Sequence, residues 1–257
     1  MEISAKAVMD LRAKTGVSMM ACKRALIEAG GDEEKAIDLL RKSGEAKAVS
    51  KADRETTEGV VFAEIRGNIG VVVKVVCETD FVARTESFVK LVKDIANIAF
   101  EKNAEAAMTE GEAIANEAIV TLGENIKVAD VSMLKGDNLA VYVHSNNKVA
   151  AIVSLEGGDG ELGKNMAMQV VASAPSVVNP DEVDASEIEK EKDVYRDQLK
   201  AEGKPENIIE NIIEGKVRKF KESQALITQD YIRDPAMKVK DVLGGAKVLS
   251  FVMLKIG

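Results

Sequence analysis

The apolar positions of this chain change period along its length. Up to about residue 44 they recur every three or four residues in three runs: Val8 and Leu11; then Met19, Cys22, Ala25, Leu26 and Ala29; then Ala36, Ile37 and Leu40. That spacing puts each set on one face of a helix. Polar residues and glycines separate the runs. Ser4 stands where an N-cap is needed, Thr15-Gly16 breaks the first helix, Gly30-Gly31 ends the second, Asp32 caps the third and Gly44 lies beyond its end. A compact three-helix N-terminal module over residues 1–44 is predicted. Residues 45–59 (EAKAVSKADRETTEG) are small, charged and without an apolar period, which predicts a linker and a flexible tether.

From Val60 the period falls to two. Residues 60–66 and 69–77 flank Gly67-Asn68, and residues 139–144 and 148–155 flank Ser145-Asn146-Asn147, so two β-hairpins are expected. They align at a constant offset of 78, which pairs Val61 with Leu139, Ile65 with Val143, Val71 with Val149, Val75 with Val153 and Cys77 with Leu155. Alternation of this kind is what one buried sheet face requires. The offset continues into a helix, where Phe88, Val92 and Ala96 match Met166, Val170 and Ala174. The expectation is an α+β protein with a core of two related hairpin-plus-helix subdomains, over residues 60–138 and 139–257.

Other elements lie between and after the copies. Thr109-Glu110-Gly111-Glu112 fits a capping box opening a helix with Ile114, Ala118, Ile119 and Leu122 on one stripe, ended by Gly123. Residues 126–134 read as a strand. Ser186 and Glu189 form a second capping-box match before a charged helix to about Ala201, and Gly203-Lys204-Pro205 separates it from a helix carrying Ile208, Ile209, Ile212, Ile213, Val217 and Phe220. So short a turn implies an inserted antiparallel helical hairpin, over residues 186–222. The chain closes with a turn near Asp234-Pro235, a short helix ending at Gly244-Gly245 and a strand over 247–256.

Composition narrows the chemistry. With 257 residues, 46% apolar and 30% charged, the chain is long enough for a sizeable folded core. It has one His (His144), two Cys (Cys22 and Cys77), no Trp and nine aromatics. Three Cys/His side chains 55 and 67 positions apart do not suggest zinc. A lone imidazole without a G-x-S-x-G elbow offers no nucleophile-base pair, and no G-x-x-x-x-G-K-[ST] loop is present. No cofactor, no metal site and no nucleophile-base catalysis are expected, while acid/base work by Asp and Glu stays open. The net charge of −8 and the absence of a basic-aromatic cluster argue against direct nucleic-acid binding. Residues 1–54, with 11 basic and 9 acidic side chains, are the mildly positive part of an acidic protein. Apolar stretches are too short for a membrane span, and Met1-Glu2-Ile3-Ser4 has neither a basic n-region nor an apolar h-region. A cytoplasmic location is expected.

Function is best sought where the two copies differ. After its second strand the first copy reads Glu78-Thr79-Asp80-Phe81-Val82-Ala83, and the second reads Glu156-Gly157-Gly158-Asp159-Gly160. Thr79 or Asp80 can cap the helix that follows. In the plainest reading Asp80 caps and Phe81 packs as a hydrophobic staple; Met19-Met20 would likewise be inter-helix packing and His144 a solvated loop residue.

The run Glu78-Thr79-Asp80-Phe81-Val82-Ala83-Arg84 also resembles the signature of bacterial elongation factor Ts, the nucleotide exchange factor for elongation factor Tu. Leu11-Arg12-x-x-Thr15-Gly16-x-x-Met19-Met20-x-Cys22-Lys23-x-Ala25-Leu26 and Gly31-Asp32-x-Glu34-x-Ala36-Ile37 are similar to the family's ubiquitin-associated-like N-terminal module. Gly123-Glu124-Asn125-Ile126, Gly203-Lys204-Pro205 and Glu214-Gly215-Lys216 follow in the family's order. The resemblance implies the same fold as the periodicity does, with a protruding helical hairpin that some members use for self-association. It implies that Thr79, Asp80, Phe81, Val82 and Ala83 dislocate the Mg²⁺ site of a partner GTPase, elongation factor Tu. It further implies that Arg12, Met19, Met20 and Lys23 sit against a helix of the nucleotide domain and that His144, equivalent to Arg66 in the first copy, is another contact. Two departures are visible: Ala21 occupies a position where many members carry an acidic residue, and the sequence stops at Gly257 where some continue into a helix. The alternative is a non-catalytic assembly adaptor that docks through its helical module and hairpin.

Overall fold

The computed structural model describes residues 3–15, 17, 19–51 and 53–257, the side chains of 44–50 excepted. Helices α1 (Ala5–Thr15), α2 (Met19–Glu28) and α3 (Glu33–Lys51) form the N-terminal module. The expected caps are in place: Ser4 Oγ accepts from the Ala7 N–H at 3.2 Å and Asp32 Oδ1 from the Lys35 N–H at 3.1 Å. Gly16 of the expected helix break lies outside the described residues. Val8, Leu11, Cys22, Ala25, Leu26, Ala36 and Leu40 meet in one buried cluster. The expected stop at Gly44 does not occur, and the linker predicted from residue 45 is helical through Lys51. Ala, Glu and Lys have high intrinsic helix propensity, and that outweighs the cost of one glycine, about 1 kcal/mol, even without an apolar face.

Strands β1 (Glu58–Arg66) and β2 (Ile69–Cys77) pair antiparallel with Arg66 opposite Ile69. Helices α4 (Asp80–Ala83), α5 (Glu86–Glu101) and α6 (Ala104–Leu122) follow, and β3 (Ile126–Lys135) completes a sheet of order β1-β2-β3. Val71, Val73, Val75 and Cys77 pack with Phe88, Leu91, Val92 and Ile95 of α5 and with Ala115 and Ile119 of α6. The capping box expected at Thr109 is not used, because α6 starts five residues earlier. Asn103 Oδ1 accepts from the Ala106 N–H at 2.8 Å, while Thr109 sits mid-helix and donates its hydroxyl to the Glu105 carbonyl at 3.1 Å. Gly111 is a close-approach residue: a Cβ there would lie 3.1 Å from Ile95 Cγ1 of α5. The N-terminal module rests on α6, where Val120 joins the helical cluster, Arg41 lies 3.6 Å from Glu117 and the Lys51 ammonium donates to the Gly123 carbonyl. A flexible tether is replaced by a docked module, because α3 runs on far enough to lie along α6.

The second unit repeats the pattern with β4 (Leu139–Val143), β5 (Val149–Glu156) and α7 (Gly160–Ser173), which Asp159 caps. Helices α8 (Ala185–Ala201) and α9 (Glu206–Gln224) then form the hairpin. Its polarity follows from the pairs Tyr195 with Lys216 and Arg196 with Glu210, and from the shared core of Leu199, Ile209 and Ile213. The cap of α8 is Asp184, accepting from the Ser186 N–H at 2.8 Å, so the second predicted capping box is also displaced. An acceptor of equal quality two residues earlier captures the helix start. A ribbon of β6 (Asp230–Tyr231) and β7 (Asp234–Lys238), then α10 (Val239–Leu243) and β8 (Lys247–Lys255), complete the chain. The late turn lies at Ile232-Arg233, not at Asp234-Pro235, since Pro235 sits within an exposed two-stranded ribbon that does not need its N–H. β8 joins the second sheet, of order β4-β5-β8.

The two sheets stack face to face. Val61, Val72, Ala150 and Ile152 are buried between them, with Leu134, Leu139, Val141, Val252 and Leu254 around the edge. Register Ala63↔Val72 and Val61↔Lys74 puts the alternate residues of β1 on the opposite face from Val71, Val73 and Val75. The single buried face expected from alternation is therefore two buried faces, one against helices and one against the other sheet. Antiparallel pairing inverts the parity of the two strands, which an alignment by offset does not reveal.

Candidate functional site

The junction from β2 to α5 is built so that one large apolar side chain faces out. Thr79 caps the single turn α4, accepting from the Val82 N–H at 3.4 Å, and Thr85 caps α5, accepting from the Phe88 N–H at 3.2 Å. Ala83 is buried in the first core and Val82 packs against it. On so short a helix those two inward positions turn Phe81 away. It is 82% exposed and joins none of the apolar clusters, so it is not a staple, and Thr79, not Asp80, is the cap. The Asp80 carboxylate lies 2.8 Å from Arg84 one turn on.

Behind this turn is a polar brace. One carboxylate oxygen of Glu124 accepts from the Glu78 and Thr79 N–H groups at 3.1 and 2.9 Å, and the other accepts from the Thr79 hydroxyl at 2.5 Å. The Glu78 carboxylate in turn accepts from the Asn125 N–H at 2.7 Å and lies 3.4 Å from Arg54, whose carbonyl accepts from Asn125 Nδ2 at 2.8 Å. Cys77, just before, donates its thiol to the Thr79 carbonyl at 3.2 Å. Burial, with the negative charge of Glu124 second, pushes that thiol up to about 12. Sequence reasoning assigned no role to Glu124, Asn125 or Arg54. The only signal for the first two is their place in the family-like run Gly123-Glu124-Asn125-Ile126, because 46 residues separate the bonded partners Glu78 and Glu124.

The second hairpin turn comes close to the first junction. The Val61 N–H donates to the Asn147 carbonyl at 2.7 Å, and Lys148 pairs with Glu58 at 2.5 Å. A groove of about 400 Å³ remains between the two elements, lined by Glu58, Gly59, Asp80, Arg84, Asn146 and Lys148. His144 precedes this turn, exposed, with its Nδ1 3.0 Å from the Tyr142 hydroxyl. Its counterpart Arg66 is held within its own unit, bonded to Glu64 and Asn97 and stacked 4.2 Å over the Phe100 ring.

The remaining predicted positions lie on the helical module. Arg12 and Lys23 are exposed, and Met19 and Met20 are 37% and 64% exposed, so the methionines are not inter-helix packing. Met9 and Ile27 add to this apolar exposure. The structure thus brings Thr79–Ala83 and the His144 hairpin together, and leaves Arg12, Met19, Met20 and Lys23 on a separate body joined through α3 and α6.

A family model described as Elongation factor TS matches residues 78–257, opening at the braced junction itself. The chain belongs to the elongation factor Ts family. Proteins named Elongation factor Ts from Hahella chejuensis and from Francisella tularensis subsp. novicida are each 42% identical to it, over 99% of this chain and 92% of their own. That of Ectopseudomonas mendocina is 42% identical over 100% of this chain and 91% of its own. As a member of the elongation factor Ts family the chain is a protein of translation elongation. Among the described residues no helix is long and apolar enough to cross a membrane, and no group of three or more His, Cys, Asp or Glu side chains could hold a metal ion.

Proposed function

We propose that this protein is a guanine nucleotide exchange factor that binds elongation factor Tu with GDP bound and promotes GDP release by disturbing the partner's Mg²⁺ site, then yields to GTP. The observation that carries the reading is Phe81, 82% exposed on a one-turn helix held by hydrogen bonds. Family membership supports the exchange role and the partner. A GTPase holds GDP through backbone donors around the phosphates and through Mg²⁺, so moving the element that supports the metal weakens a large electrostatic contribution. Phe81 enters an apolar pocket of the partner; Asp80 makes polar contacts beside it; Thr79, Val82 and Ala83 cap and anchor the turn. No covalent step is involved, and the protein itself holds neither metal nor cofactor. It works in the cytoplasm.

Burying Phe81 contributes about 1.5–3 kcal/mol, whereas moving a two-state equilibrium from 1:99 to 99:1 takes about 5.5 kcal/mol of differential binding. Other contacts supply the rest. Arg12, Met19, Met20 and Lys23, on a module of ubiquitin-associated type, and His144, on the second of two related subdomains, provide them. By reciprocity a factor that weakens GDP binding is itself weakened by GDP, so the stable complex is nucleotide-free. The α8-α9 hairpin projects a largely charged surface and serves self-association.

Stopped-flow release of a fluorescent GDP analogue from elongation factor Tu tests the reading. Phe81→Ala leaves the protein folded and slows release strongly, and Asp80→Ala acts more weakly in the same direction. A Phe81→Ala variant with the normal release rate refutes the wedge, whereas a full-length protein that binds the GTPase and leaves GDP release unchanged is a docking adaptor.

A further inference from the structure

We infer that Glu124 is a positioning residue for exchange: its carboxylate, bound to the Glu78 and Thr79 N–H groups and to the Thr79 hydroxyl, sets the direction in which Phe81 is presented. The inference rests on the exchange role proposed for Phe81.

Phe81 belongs to no apolar cluster, so no packing of its own ring orients it. Its direction is inherited from the backbone of Glu78, Thr79 and Asp80 before it and from the Thr79 cap. Both backbone donors and the hydroxyl end on one carboxylate that comes from a loop 45 residues away. The bonding is reciprocal, since Glu78 accepts from the Asn125 N–H and from Arg54. The two loops therefore hold each other at both ends. Hydrogen bonds to an ionised acceptor are the stronger kind, and two part-buried N–H groups left without it would turn the backbone to find water. The same loop begins at Gly123, whose carbonyl accepts from Lys51 of α3, so the brace is continuous with the docking of the N-terminal module.

A glutamine preserves this geometry. Its carbonyl oxygen replaces the oxygen that accepts from both N–H groups, and its amide donates to the Thr79 hydroxyl, whose second lone pair is open beside the one taken by the Val82 N–H, so that bond reverses direction. Alanine removes all three bonds. Aspartate keeps the charge and falls one methylene short.

The test is single-turnover GDP release from elongation factor Tu, titrated with factor to separate the maximal rate from the half-saturating concentration. Glu124→Ala is expected to lower the maximal rate about tenfold, equivalent to about 1.4 kcal/mol, with half-saturation changed less than about threefold. Glu124→Gln is expected to stay within about threefold of wild type. Adding Glu124→Ala to Phe81→Ala should slow release no further, because one acts through the other. A normal maximal rate for Glu124→Ala, a Gln variant as slow as Ala, or losses that add in the double variant would each overturn the inference. If the Ala variant does not fold by circular dichroism, Glu124→Asp takes its place with the same expected fall. A slow Phe81→Ala beside a normal Glu124→Ala removes only the role of Glu124, whereas a normal Phe81→Ala removes the wedge itself.

Discussion

Gly70 and Ile152 face each other across the stacked sheets, and the pair offers a quantitative test of that packing. A Cβ at Gly70 would lie 2.8 Å from Ile152 Cδ1 and 3.0 Å from Cγ2. Gly70→Ala alone therefore overpacks the layer at about 1–3 kcal/mol, offset by about 0.5–1 kcal/mol from replacing a glycine inside a strand. Ile152→Ala removes a fully buried side chain and costs about 2–5 kcal/mol. In the double variant both clashing atoms are gone and the new methyl fills part of the cavity. Gly70→Ala then becomes neutral or mildly stabilising, and the two changes couple by about 1–3 kcal/mol. Urea unfolding followed by circular dichroism measures this, the chain having no Trp to report by fluorescence. Additivity of the two costs within about 0.5 kcal/mol would refute the stacked arrangement. The layer matters for function because it sets the His144 hairpin beside Asp80, so Gly70→Ala should also raise the factor concentration that half-saturates GDP release.

Asn103→Ala should cost about 1 kcal/mol in the same unfolding assay and Thr109→Ala less than about 0.5 kcal/mol, because only Asn103 caps α6; equal costs would mean the helix starts at Thr109 after all. Gly123 ends α6 at φ +82° with open space around it, so Gly123→Ala should cost about 1 kcal/mol from backbone strain alone. The Cys77 thiol stays protonated in the folded protein to about 12, while in the unfolded chain it releases its proton near its ordinary value of about 8.5. Between those values the unfolded state binds fewer protons, so stability falls as pH rises, by at most about 1.4 kcal/mol per pH unit from this group. Cys77→Ala should flatten the alkaline limb of stability against pH, and an unchanged slope would show that the thiol does not carry it.

Much of this architecture is legible in one sequence because apolar period and turn chemistry act locally. The runs at Val8 to Leu40, the alternation around Gly67-Asn68, the offset of 78 and the Ile209-Ile213 stripe each locate an element with its buried side. Local signals misled where two of them compete within a few residues. Thr109 and Ser186 are good capping residues beaten by Asn103 and Asp184, and the stretch after Gly44 lacks an apolar face yet forms helix by propensity.

Local patterning places the classes of element, the three-helix module and the pair of hairpins, and the residues themselves carry the family resemblance and the poverty of reactive groups. Tertiary structure alone decided that both faces of each sheet are buried, that the module docks along α6, that Phe81 points outward and that Glu124 holds the turn beneath it. The difference is one of range. A cap or a stripe is settled by residues within one or two turns, whereas the turn that carries Phe81 is bonded to a carboxylate 45 positions from its cap and its Ala83 is buried in a core built from distant strands and helices, contacts that no periodicity encodes.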